Sequence, residues 1–159
     1  MPVFATAGAK LYIGAAIEDQ STDFVVGDFD GQTWTEIKEL ESLGSFGDTA
    51  QEISIDIIGQ KRTKRLKGTR SAGSVEVVCA IDYSDAGQIA ALAAEKADGN
   101  YAFKLEFDDA PAGGTPSERY FVAMVGSASE QLDAANNVMK LNLSLWINSN
   151  VVRVNAAAA

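Results

Sequence analysis

The sequence contains no histidine. Histidine is the commonest general base in enzymes and the commonest ligand of transition metals, so its absence excludes most hydrolytic triads and most zinc sites. There is one cysteine, Cys79, which cannot form an internal disulfide and lies among alternating apolar residues. We therefore expect Cys79 to be a small buried hydrophobic residue. We also expect no catalytic, cofactor-binding or metal site.

Long hydrophobic runs are missing as well. No window approaches the roughly 20 apolar residues of a membrane-spanning helix. The first fourteen residues lack the basic start and the apolar stretch of a secretory signal. We expect synthesis in a cytoplasm and no membrane insertion by this chain. Apolar residues make up 47% of the sequence, which is typical of a globular protein, and a length of 159 residues fits one domain.

Apolar and polar residues alternate in several segments, and a period of two predicts half-buried β-strands. In the segment QEISIDII, the side chains of Ile53, Ile55 and Ile57 should face a core, while those of Glu52 and Asp56 face outward. Because such strands must cover their apolar faces, we expect a mainly β fold, an antiparallel β-sandwich or barrel. The strong candidates are QEISIDII, GSVEVVCAI, YAFKLEF and NVMKLNLSLWI, and the weaker ones are KLYIGAAI, QTWTEIK, ERYFVAMVG and VVRV.

One segment, SDAGQIAALAAEKADGN, departs from this period and predicts a single flanking α-helix over about 84–97. Its alanine-rich run favours a helix, and Ser84 is a plausible N-cap. Ile89, Leu92 and Ala93 share one helix face by their spacing, so we expect that face to pack inward.

Basic residues are scarce, thirteen against twenty-two acidic ones, which gives a net charge of −9. Almost half of them lie in a predicted long inter-strand loop at about 58–72. Segregated charge of this kind can contact phosphates, can be a solvated surface loop, or can pair with the acidic body of another copy. The residues of this basic run are Lys61, Arg62, Lys64, Arg65, Lys67 and Arg70.

The residues alone raise two possible functions, nucleic-acid binding and catalysis. A nucleic-acid-binding module could use the basic run, but the run has no interleaved aromatics for base stacking and its surroundings are acidic. An enzyme could use a carboxylate pair such as Asp108 and Asp109, or Asp28 and Asp30. Both pairs are flanked by turn-forming residues, and no nucleophile, metal-ligand set or phosphate-binding glycine loop accompanies them.

The order of several segments carries a resemblance to a known family. TWTEIKELESLGSFGDTAQEISI leads to the basic run, KGTRSAGSVEV ends it, DYSDAGQIAAL joins a strand to the helix, and RYFVAMVGSAS forms a later strand. From Trp34 to Val154 the chain resembles the major tail tube proteins of long-tailed bacteriophages. The resemblance implies a single tail-tube-like domain over 1–159, with ends at 1–8 and 155–159 that are flexible or ordered on assembly. Its implied fold is also similar to that of the type VI secretion tube protein.

The resemblance also implies a function. Copies of the chain would stack as hexameric rings into the hollow tail tube of a virion, through which DNA passes without specific binding. The expected partners are other copies of the chain, the tape measure protein and the tail terminator and tip proteins. The loop corresponding to 46–72 would reach between neighbouring rings or subunits. A type VI secretion-like tube is the alternative.

A tube that conducts DNA must not hold it, because fixed cations in the bore would bind phosphates. We therefore expect acidic residues to line the bore and the basic run to pair with carboxylates of the adjacent ring. The candidates for the lining are Glu52, Asp56 and Glu76, which occupy the polar faces of predicted strands. A plain solvent-facing edge is the alternative role for these three.

Overall fold

A computed structural model describes residues 3–158 of the chain. Within this range there are ten β-strands, one α-helix and a short 3₁₀ helix at Val26–Phe29. The α-helix, α1, spans Ala86–Lys96. The strands are β1 Lys10–Ala16, β2 Thr35–Ile37, β3 Leu40–Ser42, β4 Thr49–Asp56, β5 Thr63–Ser71, β6 Ser74–Ala80, β7 Tyr101–Glu106, β8 Glu118–Gln131, β9 Lys140–Ile147 and β10 Val152–Val154.

Eight of the strands form one antiparallel sheet in the order β2-β1-β7-β8-β9-β6-β3, with β10 paired to β8. The fourteen-residue strand β8 is long enough to pair with β7, β9 and β10. The sheet does not close into a barrel. The predicted mainly β, antiparallel fold with one flanking helix is therefore confirmed, in its sandwich form.

The main core lies where the alternation of the sequence is strongest. Strand β6 pairs with β9 so that Val77 lies opposite Leu143 and Cys79 opposite Leu141, and all four side chains are buried. The rings of Phe103 and Phe121 stack in the same core at 5.5 Å. The next residues along β7 and β8 point to the other face of the sheet, where a second cluster contains Phe24, Phe29, Ala102, Tyr120, Val122 and Val152.

Helix α1 differs from the prediction in its cap and in its buried face. Its N-cap is Asp85, not Ser84, and the Asp85 carboxylate accepts hydrogen bonds from the backbone N–H groups of Gln88 and Lys38 at 3.1 Å. The residues predicted to face inward, Ile89, Leu92 and Ala93, are exposed. The buried residues are Gly87, Gln88, Ala91 and Ala94.

The close approach of α1 to β2 determines which face of the helix is buried. A Cβ atom on Gly87 would lie 2.1 Å from the carbonyl oxygen of Glu36, far inside van der Waals contact. Only small or hydrogen-bonding residues fit at this distance, so the bulky aliphatic residues of the helix must point away from the sheet.

The prediction of a long loop at about 58–72 is wrong. Most of these residues form strand β5, which pairs with β4 as a separate two-stranded antiparallel hairpin. The sequence of β5, TKRLKGTRS, contains one aliphatic residue, so its apolar pattern could not reveal a strand. The inward face predicted for Ile53, Ile55 and Ile57 is also wrong, because all three are exposed.

Of the segments predicted to be flexible or ordered on assembly, residues 1, 2 and 159 lie outside the described range. Among the described C-terminal residues, Ala157 pairs with Thr115 through two backbone hydrogen bonds. Neither helix in the described range has the length and apolar character needed to cross a membrane.

Candidate interaction surface

The β4–β5 hairpin has one apolar face that the rest of the chain does not cover. Ile53 lies opposite Leu66 and Ile55 opposite Lys64, so these four side chains share a face. Ile53, Ile55 and Leu66 are 51%, 57% and 66% exposed. We call this set, with Lys64, the apolar face of the hairpin. The alternation of β4 is therefore real, but no residue of the described chain covers its apolar side.

The opposite face of the hairpin is polar and internally paired. Arg65 Nε lies 3.0 Å from Glu52 Oε1, and Thr63 Oγ1 donates a hydrogen bond of 2.5 Å to Asp56 Oδ1. Near the base of the hairpin, Arg70 forms a longer ion pair with Asp48 at 3.7 Å. Exposed ion pairs contribute less than about 1 kcal/mol each. Their effect here is to neutralise part of the basic run within the chain.

The structure brings the basic run together on one element. Lys61 and Arg62 lie in the turn, and the other four basic residues lie on β5. Among the described residues, no carboxylate lies within ion-pair distance of Lys61, Arg62, Lys64 or Lys67.

The three candidate lining carboxylates do not lie together. Glu52 and Asp56 are on the polar face of the hairpin, whereas Glu76 is on β6 of the large sheet. Glu76 accepts a hydrogen bond of 2.8 Å from Ser144 on the neighbouring strand β9.

One member of each carboxylate pair considered for catalysis has a structural partner. Asp109 accepts hydrogen bonds from the backbone N–H and the hydroxyl of Ser117, and these bonds lower the pKa of Asp109 below its usual value. Asp28 accepts a hydrogen bond from the backbone N–H of Val25 at the start of the 3₁₀ helix. Within residues 3–158, no group of three or more Cys, Asp or Glu side chains could hold a metal ion.

A second exposed apolar patch was missed by the sequence reasoning. It lies where the outer face of α1 meets the ends of β8 and β9. The sequence signal for this patch is the pair Ile89 and Leu92 on α1, which the helix spacing assigns to the core instead. We call this set the helix-end patch, and its exposed apolar members are Tyr83, Ile89, Leu92, Leu132 and Met139.

Comparison with known proteins gives similarity at the level of the fold. No protein-family model matches the sequence, and no curated protein matches it. A chain in the sixfold-symmetrised baseplate of the anti-feeding prophage is similar with a TM-score of 0.70 and 12% identity, over 98% of both chains. The SPP1 tail tube protein is similar with a TM-score of 0.64 and 17% identity, over 99% of this chain and 81% of that one.

A third similar structure is the sheath/tube terminator of an extracellular contractile injection system, PVC. It matches with a TM-score of 0.67 and 9% identity, over 97% of both chains. At these identities the likeness shows the fold alone. The chain thus has a fold found in a phage tail tube and in contractile injection systems, which confirms the fold that the resemblance predicted.

Proposed function

We propose that this chain is a structural protein, without catalysis, that polymerises as stacked hexameric rings into the hollow tail tube of a virion. DNA passes through the bore without being held, and the tape measure, terminator and tip proteins contact the tube. The protein is made in the host cytoplasm and ends in the virion. The observation that carries this proposal is the uncovered apolar face of the β4–β5 hairpin, on a fold shared with tube proteins.

The energetics of this face suit a repeated contact. Fully burying an Ile or Leu side chain contributes about 1.5–3 kcal/mol. Somewhat more than half of Ile53, Ile55 and Leu66 remains exposed, so covering them contributes roughly 3–5 kcal/mol. That gain does not exceed the cost of bringing two free molecules together. Several such contacts per copy, as in a ring that also stacks, can exceed this cost because later contacts form within an existing assembly.

The charged residues have separate roles in this proposal. Lys61, Arg62, Lys64 and Lys67 act between copies, by pairing with carboxylates of a neighbour. Glu76 is the strongest of the three lining candidates, since it lies on the large sheet and its partner Ser144 is neutral. Glu52 contributes less to an acidic lining, because Arg65 neutralises part of its charge. The partner of Asp56, Thr63, is neutral, but Asp56 lies on the hairpin and not on the large sheet.

The direct test is negative-stain electron microscopy of the purified protein, with light scattering of the same sample across salt concentration. We expect rings or hollow tubes of uniform diameter. The double reversal Lys64→Glu and Lys67→Glu should leave the fold intact and prevent long tubes, because attraction between copies becomes repulsion. The reversal Lys10→Glu and Arg153→Glu changes the net charge equally at exposed positions outside the hairpin, and it should leave the tubes unchanged.

Two results would contradict the proposal. One is a wild-type protein that remains monomeric at every salt and protein concentration. The other is DNA retained by the hairpin in a salt-dependent manner, which would favour the nucleic-acid-binding function instead.

A further inference from the structure

The two exposed apolar surfaces lie on different parts of the chain. One is the apolar face of the hairpin, and the other is the helix-end patch. At the patch, Ile81 N–H donates to the carbonyl of Met139, and the last residue of β8 pairs with the first residue of β9. These bonds hold the ends of β8 and β9 beside the segment that leads into α1, and α1 itself contacts β8. Between the helix and the strands lies a cleft of about 50 Å³, lined by Ile81, Ile89, Leu92, Leu141 and the carboxylate residues Asp82 and Glu130 among others.

The exposure of the patch follows from the packing of α1. Gly87, Ala91 and Ala94 face the sheet because the helix lies so close to β2. Ile89 and Leu92 are therefore held outward, at 52% and 36% exposure. Contiguous exposed apolar residues with a polar rim are typical of protein interaction sites. The helix cannot rotate to bury them without driving larger side chains into β2.

The charges of the two surfaces are complementary. Asp82 and Glu130 line the cleft of the patch, and Asp133 lies just beyond the end of β8. Hydrogen bonds from Ser84 lower the pKa of Asp82 below its usual value. Lys64 is the charged residue on the apolar face of the hairpin, and no carboxylate of the described chain pairs with it. A lysine among aliphatic residues matches a cleft that combines aliphatic residues with carboxylates.

We propose that the helix-end patch receives the β4–β5 hairpin of a second copy of this chain. The apolar face of the hairpin covers Ile89 and Leu92, and Lys64 points to Glu130. This inference rests on the proposed function and names the receiving site for it. The contact is heterologous, because the hairpin and the patch are different surfaces, so each copy can engage two neighbours. Such a contact repeats from copy to copy and does not stop at a dimer.

Cysteine cross-linking tests the contact directly. The natural Cys79 is fully buried, so only introduced cysteines should react. The variants Leu66→Cys and Leu92→Cys are prepared separately, mixed and oxidised. We expect a disulfide-linked dimer in the mixture and little in either variant alone. As a matched control, Val25→Cys replaces Leu92→Cys, because Val25 is an exposed aliphatic residue outside the patch. A dimer of Leu66→Cys with itself would overturn the proposal in favour of contact between hairpins.

Charge exchange provides a second test. Lys64→Glu and Glu130→Lys should each lower the apparent association constant at least tenfold in light scattering. The two changes in one chain should restore most of the loss, since the pair is then re-formed with opposite polarity. Absence of rescue would contradict the pairing of Lys64 with Glu130.

The patch can also be changed without touching the hairpin. Ile89→Ser with Leu92→Ser should abolish tubes, whereas Val25→Ser with Val26→Ser should not. Tubes formed equally well by the Ile89 and Leu92 variant would overturn the receiving site and leave the proposed function standing. A wild-type protein that never assembles would contradict the proposed function itself.

Discussion

The position of α1 depends on one buried amide, that of Gln88, whose side chain is 2% exposed. Its Nε2 donates to the carbonyl oxygens of Ala80 at 2.8 Å and Lys38 at 3.2 Å, and its Oε1 accepts from the backbone N–H of Asp82 at 3.0 Å. The amide thus joins the helix to the chain after β2 and to the end of β6.

The substitution Gln88→Leu removes all three bonds while keeping a similar volume. Each bond contributes about 1 kcal/mol, and a buried polar group left unpaired costs about 1–3 kcal/mol. We therefore expect the free energy of unfolding to fall by at least about 3 kcal/mol, a large part of the 5–15 kcal/mol of a typical domain.

The substitution Gln88→Glu adds a dependence on pH. A carboxylate can accept from Asp82 but cannot donate to the two carbonyls, so burial and these carbonyls raise the pKa of the introduced carboxyl in the folded state. The protonated form is therefore favoured by folding. The destabilisation should be smallest below the unfolded pKa of about 4.3 and should grow as pH rises above it.

The assay is urea unfolding at several pH values, at one low protein concentration so that association does not alter the comparison. Gln60→Leu, at an exposed position, is the control and should change stability by less than about 0.5 kcal/mol. The reasoning is refuted if Gln88→Leu behaves like this control, or if the effect of Gln88→Glu is the same at pH 4 and pH 8.

Three further predictions follow from close contacts and burial. Gly87→Ala should lower the free energy of unfolding by about 1–3 kcal/mol in urea unfolding, because the new methyl group would clash with β2. Helix propensity alone favours alanine by about 1 kcal/mol. A stabilised variant would therefore contradict the close contact with β2. Gly126→Ala should shift the fluorescence of Trp146, because the new Cβ would lie 2.1 Å from the Trp146 ring, and an unchanged spectrum would show that the ring lies elsewhere. Burial, with a smaller contribution from the charge of Asp85, raises the pKa of the Cys79 thiol to about 11. A thiol reagent at pH 8 should therefore react slowly with the native protein and rapidly with the protein in denaturant. Equal rates would contradict the burial of Cys79.

Most strands of the large sheet could be predicted because burial on one face imposes a period of two on the sequence, but β3, Leu40–Ser42, is not among the predicted strands. Val75, Val77 and Cys79 alternate with exposed or half-buried residues, and they pair with an equally regular strand, β9. Their order in the sheet could not be predicted, since it depends on pairings between distant parts of the chain.

The hairpin and the helix show where such patterns mislead. The alternation of β4 predicts a strand correctly, but the burial that it also predicts is absent, since Ile53, Ile55 and Ile57 are exposed in the described chain. Strand β5 carries charged residues on both faces, so hydrogen bonding to β4 defines it and side-chain pattern does not. In α1 the larger aliphatic residues marked the wrong face, because the spacing between helix and sheet selects for the smallest residues.

The order of strands in the sheet also sets the timing of folding during synthesis. Strands β7, β8 and β9 form the middle of the sheet, yet they are the last long strands to be made. The hairpin is complete at residue 71 and can form within about 1–10 μs. At roughly 5–20 residues per second, the ribosome needs on the order of 3–14 s to add residues 72–140, which complete β8 and begin β9. Each nascent chain therefore contains the residues of its hairpin for seconds before the start of β9 exists. If the hairpin of one copy binds the helix-end patch of another, as we propose, nascent chains shorter than 140 residues offer a hairpin but no complete patch, and this contact forms only after β9 has begun to be made.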